Sequence, residues 1–142
     1  TSRVGQVGRI LAARPDASVM CRDSPNLGLV VPTMALGGHG TANMTGNIAP
    51  RELAAISEPW TDDTGATAFR EAYLKNLPLL HYTYSALNPV ALKSLIAAAG
   101  LPAGPVREPL RALPRERIEE GLQILTELGL DTAYGFKRQI AA

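Results

Sequence analysis

The pattern of this chain changes at Pro50, and that change restricts the folds open to it. Before it, short apolar runs alternate with helical segments. Val4, Val7, Ile10 and Leu11 recur at helical spacing, and Arg14-Pro15-Asp16 closes that segment. Ala17 to Cys21 is a short apolar run bounded by turn residues and charge, and its length favours a buried strand. Ser24-Pro25 reads as an N-cap with proline at the first helical position. Leu27 to Leu36 is apolar enough for a buried helix, bent by Pro32 and closed by Gly37-Gly38. Thr41 to Thr45 is a second buried strand, ending at Gly46-Asn47.

After Pro50 only helical patterns remain. One runs from Pro50 to about Ser57. A long one, Gly65 to Leu87, carries Phe69, Tyr73, Leu77, Leu80 and Tyr84 near one face, with Pro78 expected to kink it. Asn88-Pro89 reads as an N-cap with proline at the first position of a helix that Gly100 and Pro102 stop. Pro114 opens the last strong helix, whose apolar stripe is Ile118, Leu122, Leu125 and Leu128, with Gly129 as its stop. The tail from Asp131 to Ala142 has no decisive pattern.

Helix, strand, helix, strand is the order of a parallel βαβ architecture. Two parallel strands do not make a stable sheet, because both faces need cover and both edges need partners. The pattern therefore predicts the end of a larger parallel system. An eight-stranded βα barrel followed by extra helices meets the requirement, with six strands preceding this segment.

Composition narrows the function classes. The chain has 142 residues and is 46% hydrophobic, enough to bury a core. Net charge is +1, from 14 basic and 13 acidic residues, so no strong field points to nucleic acid or a membrane surface. No apolar run reaches the ~20 residues of a membrane span. One cysteine, Cys21, excludes an internal disulfide and favours a reducing, cytoplasmic setting. The absence of an initiator methionine suggests a processed chain or a fragment. Only Lys75, Lys93 and Lys137 are lysines.

Three stretches carry a resemblance. Leu36-Gly37-Gly38-His39-Gly40-Thr41-Ala42-Asn43-Met44-Thr45-Gly46-Asn47-Ile48-Ala49-Pro50 is similar to the last barrel strand of the dihydrodipicolinate synthase / N-acetylneuraminate lyase family, where a Gly-x-x-Gly turn feeds the strand. Asn88-Pro89-Val90-Ala91-Leu92-Lys93 resembles that family's Asn-Pro-x-x-x-Lys helix start. Gly100-Leu101 followed by Val106-Arg107-Glu108-Pro109-Leu110 resembles its Gly-Leu…Arg-x-Pro-Leu pattern. Their order and separations agree, and Thr1 to Leu11 looks like the helix after the Schiff-base strand.

The resemblance implies an α/β fold: the C-terminal portion of a (β/α)8 TIM barrel, strands 7 and 8 with flanking helices, followed by an all-helical C-terminal region. Residues 1–60 belong to the barrel and 61–142 to the helical region. It implies a class I aldolase chemistry in the parent protein. There a lysine amine condenses with the keto group of pyruvate or another 2-keto acid, and the iminium accepts electrons while a C–C bond forms or breaks. The second substrate is an aldehyde or sugar acid, no cofactor or metal is required, and a homo-oligomer, dimer or tetramer, is expected. The reactive lysine would stand just upstream of Thr1, so no catalytic residue is expected in this chain. The rival readings are a non-catalytic helical assembly module and one half of a split enzyme.

Four residues are substrate-binding candidates. Arg22 and Asp23 directly follow the first strand, at what would be the active-site end of a barrel strand. They could recognise a hydroxyl or carboxylate, or form a loop ion pair beside the Ser24 cap. Ala42 and Asn43 lie in the last strand, one facing inward and the other outward. Ala42 replaces a larger family residue and would widen the pocket. Asn43 could hydrogen-bond substrate or satisfy buried backbone. Lys93 lies one turn into a helix and reads as structural. Cys21 reads as a small buried hydrophobe. His39 and His81 are isolated and do not make a zinc site.

Overall fold

A computed structural model describes residues 3–13, 16–22 and 28–139. The chain forms two compact units, Thr1–Gly46 with Pro50–Leu74, and Asn47–Ala49 with Lys75–Ala142.

The first unit begins with α1 (Val4–Ala12), which packs on α2 (Val30–Ala35) and buries Val7. Strands β1 (Met20–Arg22) and β2 (Gly40–Ala42) pair in parallel, with Met20 opposite Gly40, Cys21 opposite Thr41 and Arg22 opposite Ala42. Helix α2 is the crossover and touches both strands. A 3₁₀ turn (Met44–Asn47), α3 (Pro50–Ser57) and the start of α4 (Asp63–Thr83) follow. Met34 and Ile56 are 1% exposed and anchor this core. Burying a side chain of that size stabilises by roughly 1.5–3 kcal/mol.

Several elements depart from their sequence expectation. The first strand is Met20–Arg22 rather than Ala17 to Cys21, because its partner begins only at Gly40. Before that, Val19 is already held by His39: the His39 N–H donates to the Val19 carbonyl at 2.8 Å, and the Val19 N–H donates to His39 Nδ1 at 3.0 Å. Neither strand is fully buried. Cys21 is buried while Met20 and Arg22 are exposed, and in β2 Gly40 and Thr41 are buried while Ala42 is exposed. The second strand stops at Ala42 instead of reaching Thr45. Asn43 Oδ1 accepts the Thr45 N–H at 2.7 Å, and this local bond turns the backbone out of the ladder.

Helix α2 starts at Val30, so Pro32 sits in its first turn and removes no helical hydrogen bond. The expected bend has no cause there. Gly37 at φ 84° ends α2 in a Schellman pair, its N–H bonding Met34 O and the Gly38 N–H bonding Thr33 O. The expected cap at Ser24-Pro25 lies outside the described residues. Helix α4 begins two residues before Gly65, capped by Asp62, whose Oδ1 accepts the Gly65 N–H at 2.8 Å. It continues through Pro78 and ends at Thr83 rather than Leu87.

The second unit holds the end of α4, then α5 (Val90–Ala98), α6 (Arg115–Glu127) and α7 (Leu130–Tyr134). Pro89 is the N-cap of α5, so the expected Asn88 cap does not form. Pro114 likewise caps α6 from outside. Leu122 and Leu125 are buried as the stripe predicts, while Ile118 and Leu128 are half-buried. Gly121 is buried against Tyr82, and a Cβ there would overlap the ring. The tail folds back: the Lys137 N–H donates to Ala99 O at 3.0 Å and the Gln139 N–H to Ala98 O at 2.7 Å.

Candidate functional site

Parallel pairing puts the C-terminal ends of β1 and β2 side by side, and there Arg22 and Ala42 meet. Arg22 and Ala42 are register partners, so their side chains share the exposed face of the pair. Cys21 and Thr41 share the opposite, buried face. Asn43 lies one residue past β2, half-buried, with Oδ1 engaged by the Thr45 N–H. It is therefore not a strand residue as expected. Arg22, conversely, belongs to β1 rather than following it. Asp23 lies outside the described residues.

A cavity of ≈ 270 Å³ runs along β1, lined by Val7, Ile10, Val19, Met20, Cys21, Arg22, Leu29 and Thr33. Thr33 is fully buried, and its hydroxyl has no hydrogen-bond partner among the described residues. Sequence reasoning missed it. The available signal was one hydroxyl inside the apolar run Leu27 to Leu36.

No lysine stands on either strand. Lys93 is in α5, and its Nζ donates to Pro105 O at 2.9 Å, pinning the loop that follows the helix. Lys75 and Lys137 are exposed. His39 Nδ1 accepts the Val19 N–H, so the ring is held against the backbone. No group of three His, Cys, Asp or Glu is placed to hold a metal among the described residues.

Burial pushes the Tyr82 phenol up to about 12, against an opposing pull from Arg117. Its hydroxyl donates to Arg117 O at 2.8 Å. Burial also raises Tyr73. Asp131 is lowered, chiefly by the Thr126 hydroxyl and then by the Thr132 N–H. A family model described as the dihydrodipicolinate synthetase family matches residues 10–128.

The chain belongs to the dihydrodipicolinate synthetase family. A 4-hydroxy-tetrahydrodipicolinate synthase of Moorella thermoacetica is 37% identical over 105 residues, covering 72% of this chain and 35% of that protein. Its counterpart in Methanopyrus kandleri is 29% identical over 124 residues, covering 87% of this chain and 40% of the other. Among solved structures, dihydrodipicolinate synthase from Thermotoga maritima superimposes with a TM-score of 0.76 at 22% identity, over 92% of this chain and 44% of that one.

The structural likeness shows the fold. It implies a TIM barrel, and an α-rich arrangement with one parallel strand pair among the described residues is consistent with a portion of one. The chain spans 35–40% of the length of these two relatives of the dihydrodipicolinate synthetase family. Among the described residues, no helix is long and apolar enough to cross a membrane.

Proposed function

We propose that the parent protein is a pyruvate-dependent synthase or lyase that works through a lysine Schiff base, and that this chain forms strands 7 and 8 of its barrel and the helical region that follows them in sequence. Residues 1–60 contribute to the barrel and 61–142 to the helices. The observation that carries the reading is the register of β1 and β2. It sets Arg22 beside Ala42 at the C-terminal end of a parallel pair, where barrel enzymes hold their substrates, and puts no lysine there.

In this reading the lysine lies on a part of the parent protein outside this chain. The iminium it forms with pyruvate or another 2-keto acid supplies the electron sink, and the chain's own residues shape the site. Arg22 and Asp23 recognise a hydroxyl or carboxylate of an aldehyde or sugar-acid second substrate. Ala42 leaves room beside the reacting carbons. Asn43, with Oδ1 engaged by backbone, has its amide N–H₂ to offer. The protein works in the cytoplasm as a dimer or tetramer. This chain by itself is inactive. A second reading, one half of a split enzyme, draws on the cavity along β1, which an added strand would cover.

Incubation with pyruvate, borohydride reduction and intact-mass measurement test this. A longer parent chain should carry one reduced pyruvate adduct, and the 15.1 kDa chain none. An adduct on the 15.1 kDa chain would put the nucleophile among its own lysines and overturn the proposal.

A further inference from the structure

We infer that Arg22 is a specificity-determining residue: it selects a second substrate whose far end is a carboxylate rather than a hydroxyl, while Met20 beside it takes the carbon chain. This rests on the reading above, in which the face of β1 and β2 that carries Arg22 lines the substrate end of a parent barrel. The face is built from two facing pairs, Met20 with Gly40 and Arg22 with Ala42. From β2 it receives no side chain longer than a methyl group. Met20 uses that room. A Cβ at Gly40 would lie 3.6 Å from Met20 Cε, so the Met20 side chain reaches across to β2, and it is still 56% exposed. Arg22 stands two residues further on, about 6–7 Å nearer the C-terminal end of the strand. Ala42 leaves it the same freedom to lie across the pair. Arg22 is exposed, and among the described residues its guanidinium makes no ion pair and no hydrogen bond.

A hydroxyl and a carboxylate make different demands on such a face. A hydroxyl brings a donor as well as acceptors. Met20 offers that donor only a weak thioether, and Arg22 offers it nothing, since a guanidinium carries N–H groups alone. A carboxylate only accepts, and the guanidinium fork matches its two oxygens with parallel hydrogen bonds. Charge points the same way. Once further barrel strands close around this face, an unpaired guanidinium is costly to bury, and an anion that arrives with the substrate offsets the cost. The order of the residues fits one ligand shape: an apolar floor at Met20 for methylene groups, then a cation at Arg22 for the charged end. A lysine in its place would supply a point charge without the fork.

The test uses the full parent protein, with pyruvate and two aldehydes: succinic semialdehyde, which ends in a carboxylate, and glyceraldehyde, which carries only hydroxyls. The wild type should prefer succinic semialdehyde in kcat/KM by at least about tenfold. Arg22→Gln should lower that preference by at least about tenfold, through a higher KM for succinic semialdehyde more than through kcat, because the contact is made at the far end of the substrate and is present before and during reaction. Arg22→Lys keeps the charge and loses the fork, so its preference should fall between the two. Borohydride trapping of pyruvate on the same samples is a separate readout, and an adduct on each variant shows that it folds. No adduct on the wild type overturns the Schiff-base reading and this inference with it. An adduct on a wild type that does not prefer succinic semialdehyde, or a preference that both variants retain in full, overturns the inference alone.

Discussion

The two units solve the same problem differently. The second closes on itself: Tyr82 bonds Arg117 O, Lys93 bonds Pro105 O, Ser94 Oγ accepts the Leu113 N–H, and the tail pairs with Ala98 and Ala99. The first leaves much undone. Val4, Ile10, Met20, Val31, Leu36 and Leu74 are exposed there, against Leu87 and Leu101 in the second. The first also holds the Thr33 and Thr41 hydroxyls and the Trp60 indole N–H, buried and without a hydrogen-bond partner among the described residues. A surface of this kind is one that further protein covers. The contrast teaches that the helical unit can stand as a core while the strand unit is a part awaiting its neighbours.

The contrast breaks most sharply at Leu95, which is 0% exposed in α5. Leu95→Ala should cost about 2–5 kcal/mol in urea unfolding. A much smaller loss would mean that the second unit is loosely packed. Gly100 comes next. It sits at φ 84°, and a Cβ there would lie 2.5 Å from Lys137 O. Gly100→Ala should cost about 2 kcal/mol or more and release the tail, visible as faster amide exchange at Lys137 and Gln139.

Tyr82→Phe removes one buried hydrogen bond, a loss of about 1 kcal/mol. It carries a pH signature as well. The native phenol titrates at about 12 against an ordinary value of 10.0, so the unfolded chain ionises first. Stability should fall as pH rises from 10 towards 12, and the phenylalanine variant should lose that slope. The smallest effect belongs to the first unit. Ile10→Ser and Met20→Ser should each change the stability of this chain by less than about 0.5 kcal/mol, since these side chains are 48% and 56% exposed. A loss of several kcal/mol at either would show that the strand unit is already covered in solution.

How much of this was readable in advance varies by residue. The helix starting at Pro50 and the glycine stops at Gly37, Gly100 and Gly129 follow from caps and periodicity, and the structure has them in place. The motifs around Gly37 to Pro50, Asn88 and Arg107 pointed to the family that residues 10–128 match. The strand limits were not readable. Met20 to Arg22 is a strand because Gly40 to Ala42 lies beside it, and Asn43 ends the ladder through its own side chain. Of the candidate site, Arg22 and Ala42 were named separately, but that they stand opposite one another is a matter of register. Thr33 gave almost no signal, because one hydroxyl in an apolar run has the same local pattern whether or not it lines a cavity.

The sequence by itself determined where helices start and stop, and which family the chain resembles. These depend on neighbours three or four residues away, and a local pattern records them. Only the tertiary structure decided which residues face each other: Arg22 with Ala42, His39 with Val19, and Tyr82 with Gly121. Such pairings join residues some 20 to 40 apart in the chain, and no local periodicity encodes them.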